Sequence, residues 1–207
     1  MPPLTISTLD FPVAVRPITV DEYHAMGRAG IFGPEERVEL LNGHLLPMSP
    51  VGGPHFRITN RLTNHFARHV YRDEGDLAHV SVQGPIRLDD LSEPEPDVTL
   101  LRPEFNDELE VARAPEALLV VEVSNTTLAY DRGVKRDRYA QADIPEVWIV
   151  ALEGRYIETA HTPIDGVYTE VSRYTLTDER PLIPQMLPSL PPLDLPTLFR
   201  GFEKVAE

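Results

Sequence analysis

The sequence predicts a single α/β domain: a mixed β-sheet core flanked by helices, with antiparallel hairpins at its edges. Three observations lead there. From 117 to 151 the apolar run "ALLVVEVS" passes through helical "TTLAYDRGVKRDRYAQA" into "PEVWIVAL", and a crossover of that length suits two parallel strands. Residues 54 to 72 place Ile58, Leu62, Phe66 and Val70 at four-residue intervals, the apolar stripe of a packed helix. Near the end, "GRYIETAHT" and "GVYTEVSRYTL" alternate as antiparallel strands at an edge. A chain of 207 residues can bury a real core in one domain, and it shows neither an internal repeat nor an inter-domain linker.

The elements follow in order. An N-terminal arm, residues 1–15, precedes "ITVDEYHAMGRAGI", where Thr19 and Glu22 form a capping box and Gly30 is the expected stop. "RVELLNGHLLPM" reads as two short strands around Asn42-Gly43, a tight-hairpin signal. After the helix of 54–72, "AHVSVQGPIRL" gives strand pieces broken at Gly84-Pro85. "SEPEPD" is a proline-rich loop and "DVTLL" a strand. "FNDELEVARAPE" is a polar excursion. The segment 181–207 is a proline-rich C-terminal strap: "PLIPQMLPSLPPLDLPTLF" holds six of the 21 prolines and cannot form a regular helix.

Composition bounds the function. No apolar run is long enough to span a bilayer, so no membrane partner is expected. "MPPLTISTLDFPVAVRP" lacks the basic start, apolar middle and cleavage site of a signal peptide. The chain has no cysteine, which removes disulfides and thiolate metal sites. A cytoplasmic location is the simplest reading, though other compartments also tolerate a cysteine-free chain. Nineteen Lys and Arg stand against 33 Asp and Glu, a net charge of −14 that opposes casual nucleic-acid binding. A nucleic-acid partner would need a locally basic surface on this acidic body.

The chemistry starts at "LLVVEVSNT". Strand alternation puts Val120, Glu122 and Ser124 on one face, with Val121 and Val123 on the other. A buried carboxylate at 122 requires a cation, a metal or a shifted pKa. Asp97, fixed by Pro96 at the start of "DVTLL", is a second candidate. Two acids on adjacent strand ends suit a hard divalent cation, because Mg²⁺ takes one or two protein carboxylates and keeps several waters. Downstream, Asp131, Lys135 and Tyr139 recur at intervals of four and share a helical face. Turned back over the strand end, that face would bring the Lys135 ammonium to the developing charge.

Taken together, "EPD", "VVEVS" and "YDRGVK…YA…IPEVWIV" resemble the Uma-type proteins, restriction-endonuclease-like enzymes of the PD-(D/E)xK nuclease superfamily. The resemblance runs from "ITVDEYHAM" to the end and includes "ERVELLNGHLLPMSP". It implies a restriction-endonuclease-like fold and Mg²⁺- or Mn²⁺-dependent hydrolysis of phosphodiester bonds, leaving a 5′-phosphate and a 3′-hydroxyl. Carried over by position, Asp97 and Glu122 are catalytic metal ligands, Lys135 is the catalytic lysine and Glu39 is a further metal ligand. The parent pattern sets its lysine two residues after the acid, where this chain has Ser124; the family implies a lysine moved to the helix.

Each residue also has a structural alternative. Glu122 can pair with a buried cation, Asp97 can cap a turn, and Lys135 can belong to a solvated charged face. His55, His65 and His69 lack the acid of an H-E-x-x-H zinc site and read as surface or interface histidines, with His55 a guess for a phosphate contact. Trp148 reads as core. Window 51–72 contains no acid, and Arg57, Arg61, Arg68 and Arg72 fall within a wedge of roughly 60° beside the apolar stripe. They are the candidate nucleic-acid-binding residues, with pairing to surplus acids as the alternative. Three functional readings result: an endonuclease acting on DNA, a non-catalytic nuclease-fold binding or assembly module, and a hydrolase of another phosphate ester such as RNA or a nucleotide. Edge strands at 154–162 and 166–174 favour a homodimer.

Overall fold

The computed structural model describes residues 16–48, 52–105 and 111–202, so the N-terminal arm and the last five residues of the predicted strap lie outside the described residues. Helix α1 (Val20–Arg28) starts at the Thr19–Glu22 capping box. It ends at Arg28, with Ala29 as its C-cap and then Gly30, whose φ of 69° is the left-handed conformation that glycine adopts without cost. Strands β1 (Val38–Leu41) and β2 (His44–Pro47) pair antiparallel. Their turn needs positive φ at both central residues, and Asn42 at 53° and Gly43 at 73° supply it.

Helix α2 (Gly53–Val70) buries Ile58, Leu62, Phe66 and Val70 completely, all 0% exposed. Truncating any of them to Ala would cost about 2–5 kcal/mol. Then come β3 (His79–Val82), β4 (Ile86–Arg87), β5 (Val98–Leu101), β6 (Ala112–Arg113) and the fully buried β7 (Ala117–Ser124). A helical crossover follows in three parts: α3 (Leu128–Tyr130), a π-helical turn at Asp131–Lys135, and α4 (Arg136–Gln141). Strands β8 (Glu146–Ala151), β9 (Tyr156–Ile164) and β10 (Val167–Tyr174) complete the sheet, and a single turn, α5 (Leu195–Leu198), lies in the proline-rich segment.

Six strands form one mixed sheet in the order β10-β9-β8-β7-β5-β3. The β7–β8 pair is parallel, as the crossover demands, and its neighbours are antiparallel. On one face Val121, Val123 and Trp148 pack under α2 and under Leu182, Leu187, Leu190, Leu193 and Leu198 of the C-terminal segment. On the other, Val120 and Ile149 pack with Tyr139 and Ala140 of α4. This is the mixed sheet with flanking helices and hairpins that the sequence predicts. At the free edge Val167 and Val171 of β10 are exposed. Among the described residues, no helix is long and apolar enough to cross a membrane.

Candidate active site

The β5–β7 register pairs Val98 with Val121. One step further along the same register, Asp97 stands across from Glu122. Its Oδ2 accepts the Val123 backbone N–H at 2.8 Å, which ties the start of β5 to the end of β7. Both carboxylates are buried, Asp97 8% exposed and Glu122 4%.

The β1–β2 hairpin brings the third acid. β1 docks on the strand-like segment before Asp97, where Glu93 N–H donates to Leu40 O at 2.8 Å. That places Glu39 Oε2 on the Glu95 N–H at 3.3 Å. The crossover helix supplies the remaining groups. Lys135 Nζ lies 3.0 Å from Glu39 Oε2 and 3.2 Å from Glu122 Oε1. The Tyr139 hydroxyl donates to that same Glu122 oxygen at 2.6 Å. Asp131 Oδ2 accepts from Ser124 Oγ at 2.8 Å and Thr127 Oγ1 at 2.6 Å, fixing the helix start over the strand end.

The π turn sets this face. The Arg136 N–H reaches back five residues to Asp131 O, widening the helix where Asp131 and Lys135 are buried together. Such turns are rare and concentrate at functional sites. Ser124, which stands where the parent pattern has lysine, serves as a donor to Asp131 instead.

Glu39, Asp97, Glu122, Asp131 and Lys135 line a cavity of about 360 Å³, bounded by β2, the first turn of α2 and the 125–127 loop. Four buried carboxylates (Glu39, Asp97, Glu122 and Asp131) face one ammonium there, beside the Arg37–Glu95 ion pair at 2.8 Å that also lines the cavity. Burial pushes the Glu122 carboxyl up to about 8; Lys135 opposes the rise, and Asp131, Asp97 and Glu39 add to it. Burial alone would lower the Lys135 pKa, but Glu122, Glu39 and Asp131 outweigh it and hold the amine above its ordinary value, protonated. Burial raises Tyr139 and Tyr130 as well, keeping both phenols protonated. The Tyr130 hydroxyl is buried at the cavity and has no hydrogen-bond partner among the described residues.

Asp97, Glu122, Glu39 and Lys135, far apart in sequence, thus share one cavity. Glu39, expected as a further metal ligand, receives Lys135 and the Glu95 N–H. Among the described residues no three His, Asp or Glu side chains group closely enough to hold an ion between them. The donors suited to a divalent cation are Asp97 and Glu122, a pair that fits an ion retaining several waters.

Within the predicted arginine strip, Arg57 and Arg61 touch the C-terminal segment, and Arg57 stays exposed. Arg61 donates to the carbonyls of Leu198 at 2.7 Å and Arg200 at 2.8 Å, and Arg57 lies 5.0 Å from the Phe202 ring centroid. The last carbonyls of α5 lack helical partners, and a guanidinium satisfies them. Arg68 and Arg72 remain exposed. His55 does not stand free for a phosphate either: its Nε2 is 3.0 Å from Asp97 Oδ2. The signal lay in the helix pattern, since His55 precedes Ile58 by three and Leu62 by seven, on the buried side of α2. Gln83, whose Nε2 is 3.4 Å from Asp97 Oδ1, and Tyr130 carried no such signal.

No curated protein matches this chain. A solved structure from Anabaena variabilis, described as "a putative nuclease belonging to DUF820", superposes with a TM-score of 0.69 at 15% identity. The match covers 90% of this chain and 100% of that one, and it establishes a shared fold. Residues 20–195 match the Uma2 family, described as "Putative restriction endonuclease", and the chain belongs to that family.

Proposed function

We propose that the chain is a divalent-metal-dependent endonuclease that hydrolyses phosphodiester bonds, with DNA as its substrate. The observation that carries this reading is the charge imbalance in the cavity: four buried carboxylates share one ammonium, and that surplus suits a cation. The family's description and the shared fold support a nuclease. Bound by Asp97 and Glu122, Mg²⁺ or Mn²⁺ would polarise a phosphoryl oxygen and make water a stronger acid.

The chain's own residues do the rest. Glu39 and Glu122 hold Lys135 protonated at the cavity, where its charge stabilises the anion developing on an attacked phosphate. Tyr139 fixes the Glu122 oxygen that faces the lysine. Asp131, bound to Ser124 and Thr127, anchors the π turn that presents the lysine. The Tyr130 hydroxyl, still protonated and without a partner among the described residues, is a further donor beside them.

The test is an assay of supercoiled plasmid, single-stranded DNA and RNA with Mg²⁺, Mn²⁺ or EDTA. Cutting should require the metal and fall by about 100-fold or more in both Asp97→Ala and Lys135→Ala. Undiminished cutting by an Asp97→Ala, Glu122→Ala double variant would sink the assignment. RNA cut in preference to DNA would change the substrate. No cutting on any substrate would favour the non-catalytic binding module.

A further inference from the structure

Asp97 holds its position through two donors on one oxygen. The Val123 N–H reaches Oδ2 from β7, and His55 Nε2 reaches the same oxygen from α2 at 3.0 Å. A carboxylate oxygen can only accept, so the imidazole presents an N–H at Nε2. Thr59 Oγ1, one helical turn on, lies 3.5 Å from Nδ1, at the outer limit of a hydrogen bond. Oδ1 has only Gln83 Nε2 near it among the described residues, at 3.4 Å.

We propose that His55 is a positioning residue of this site, holding Asp97 by Oδ2 so that Oδ1 is left for the divalent cation. The inference rests on the metal-site reading above. A helix needs no such contact merely to dock: Ile58, Leu62, Phe66 and Val70 already bury the length of α2. His55 instead lies at the first turn, where the helix borders the cavity, with its side chain 19% exposed. Outer-shell donors of this kind orient a ligating carboxylate, and losing one typically weakens metal binding about 10- to 100-fold.

The experiment is Mn²⁺ binding to the full chain, followed by calorimetry and by the electron paramagnetic resonance signal of free Mn²⁺. Wild type, His55→Ala, His55→Gln and Asp97→Ala are compared, each with its thermal midpoint recorded. Glutamine can place an amide N–H near the position of imidazole Nε2. His55→Ala should weaken Mn²⁺ binding about 10- to 100-fold while remaining folded, and His55→Gln should recover most of the loss. Wild-type affinity in folded His55→Ala overturns the inference, as does a His55→Gln variant that folds yet binds as poorly as His55→Ala. If wild type itself binds no Mn²⁺, or Asp97→Ala binds as well as wild type, the metal-site reading falls and the inference falls with it.

Discussion

Glu122 and Glu158 occupy the same row of the sheet. Both pair across to Ile149, one from β7 and the other from β9, so they stand on one face two strands apart. Both are buried. Their surroundings differ in balance. Glu158 Oε1 accepts from Arg173 at 2.7 Å, and Arg132 Nε lies 2.7 Å from Oε2 as a charge contact without hydrogen-bond alignment. Two cations face that one acid. Glu122 shares a single lysine with Glu39 and faces Asp97 and Asp131 as well. The crossover helix divides its charges between them, sending Arg132 to one glutamate and Asp131 and Lys135 to the other. Burial of an acid therefore says little; the local sum of charge separates an ion pair from a site arranged for a cation.

The largest effect that could break this contrast comes from removing the cation on each side. Lys135→Met leaves two buried carboxylates unpaired and should cost about 3–5 kcal/mol in urea unfolding without metal, with Mn²⁺ restoring part of it. Arg173→Ala should cost at most about 1 kcal/mol, because Arg173 is half exposed and Glu158 keeps Arg132. Equal losses would mean that the two glutamates are both ordinary ion pairs.

A smaller effect appears with pH. Glu122, raised from 4.5 to about 8 in the fold, is surrounded by Lys135, Asp131, Asp97 and Glu39. Below the lower value it is protonated folded and unfolded, and its contribution is at its most favourable. As pH rises from about 4.5 to about 8 the unfolded chain releases the proton first, and stability declines by a few kcal/mol at most before levelling off. Glu122→Gln should flatten that slope in metal-free protein. Urea midpoints from pH 5 to 9 decide it, and an unchanged slope in Glu122→Gln would remove the imbalance from the argument.

Much of this was legible in the sequence, for local reasons. Thr19 with Glu22, Asn42 with Gly43 and the stripe from Ile58 to Val70 each encode a shape within a few residues, and the structure follows them. Glu122 was conspicuous because strand periodicity made its burial unavoidable, and the helical spacing of Asp131, Lys135 and Tyr139 showed that they share a face. What was not legible joins residues distant along the chain. His55 meets Asp97 across 42 positions, and Glu39 meets Lys135 only because the hairpin docks on the 93–95 segment. Periodicity names the face a residue turns inward and is silent about which neighbour waits there. The same blindness hid the contacts of Arg57 and Arg61 with the C-terminal segment, because nothing local says that this segment folds back against α2.

That strip offers the smallest test, and it applies the matched-against-unmatched distinction to cations. Arg61 has two carbonyl acceptors, while Arg68 on the same side of α2 is exposed. Arg61→Ala should destabilise by about 1–2 kcal/mol, the worth of charge-assisted hydrogen bonds, by loosening the C-terminal segment. Arg68→Ala should stay within about 0.5 kcal/mol of wild type. If α2 touches nucleic acid, the roles reverse in a binding assay. Arg68 and Arg72 would each contribute about one unit to the slope of affinity against salt, and Arg61 little beyond its effect on folding. A salt slope lowered by Arg61→Ala in folded protein would show that its carbonyl contacts yield to phosphate, and the distinction between matched and unmatched charge would then fail on this helix.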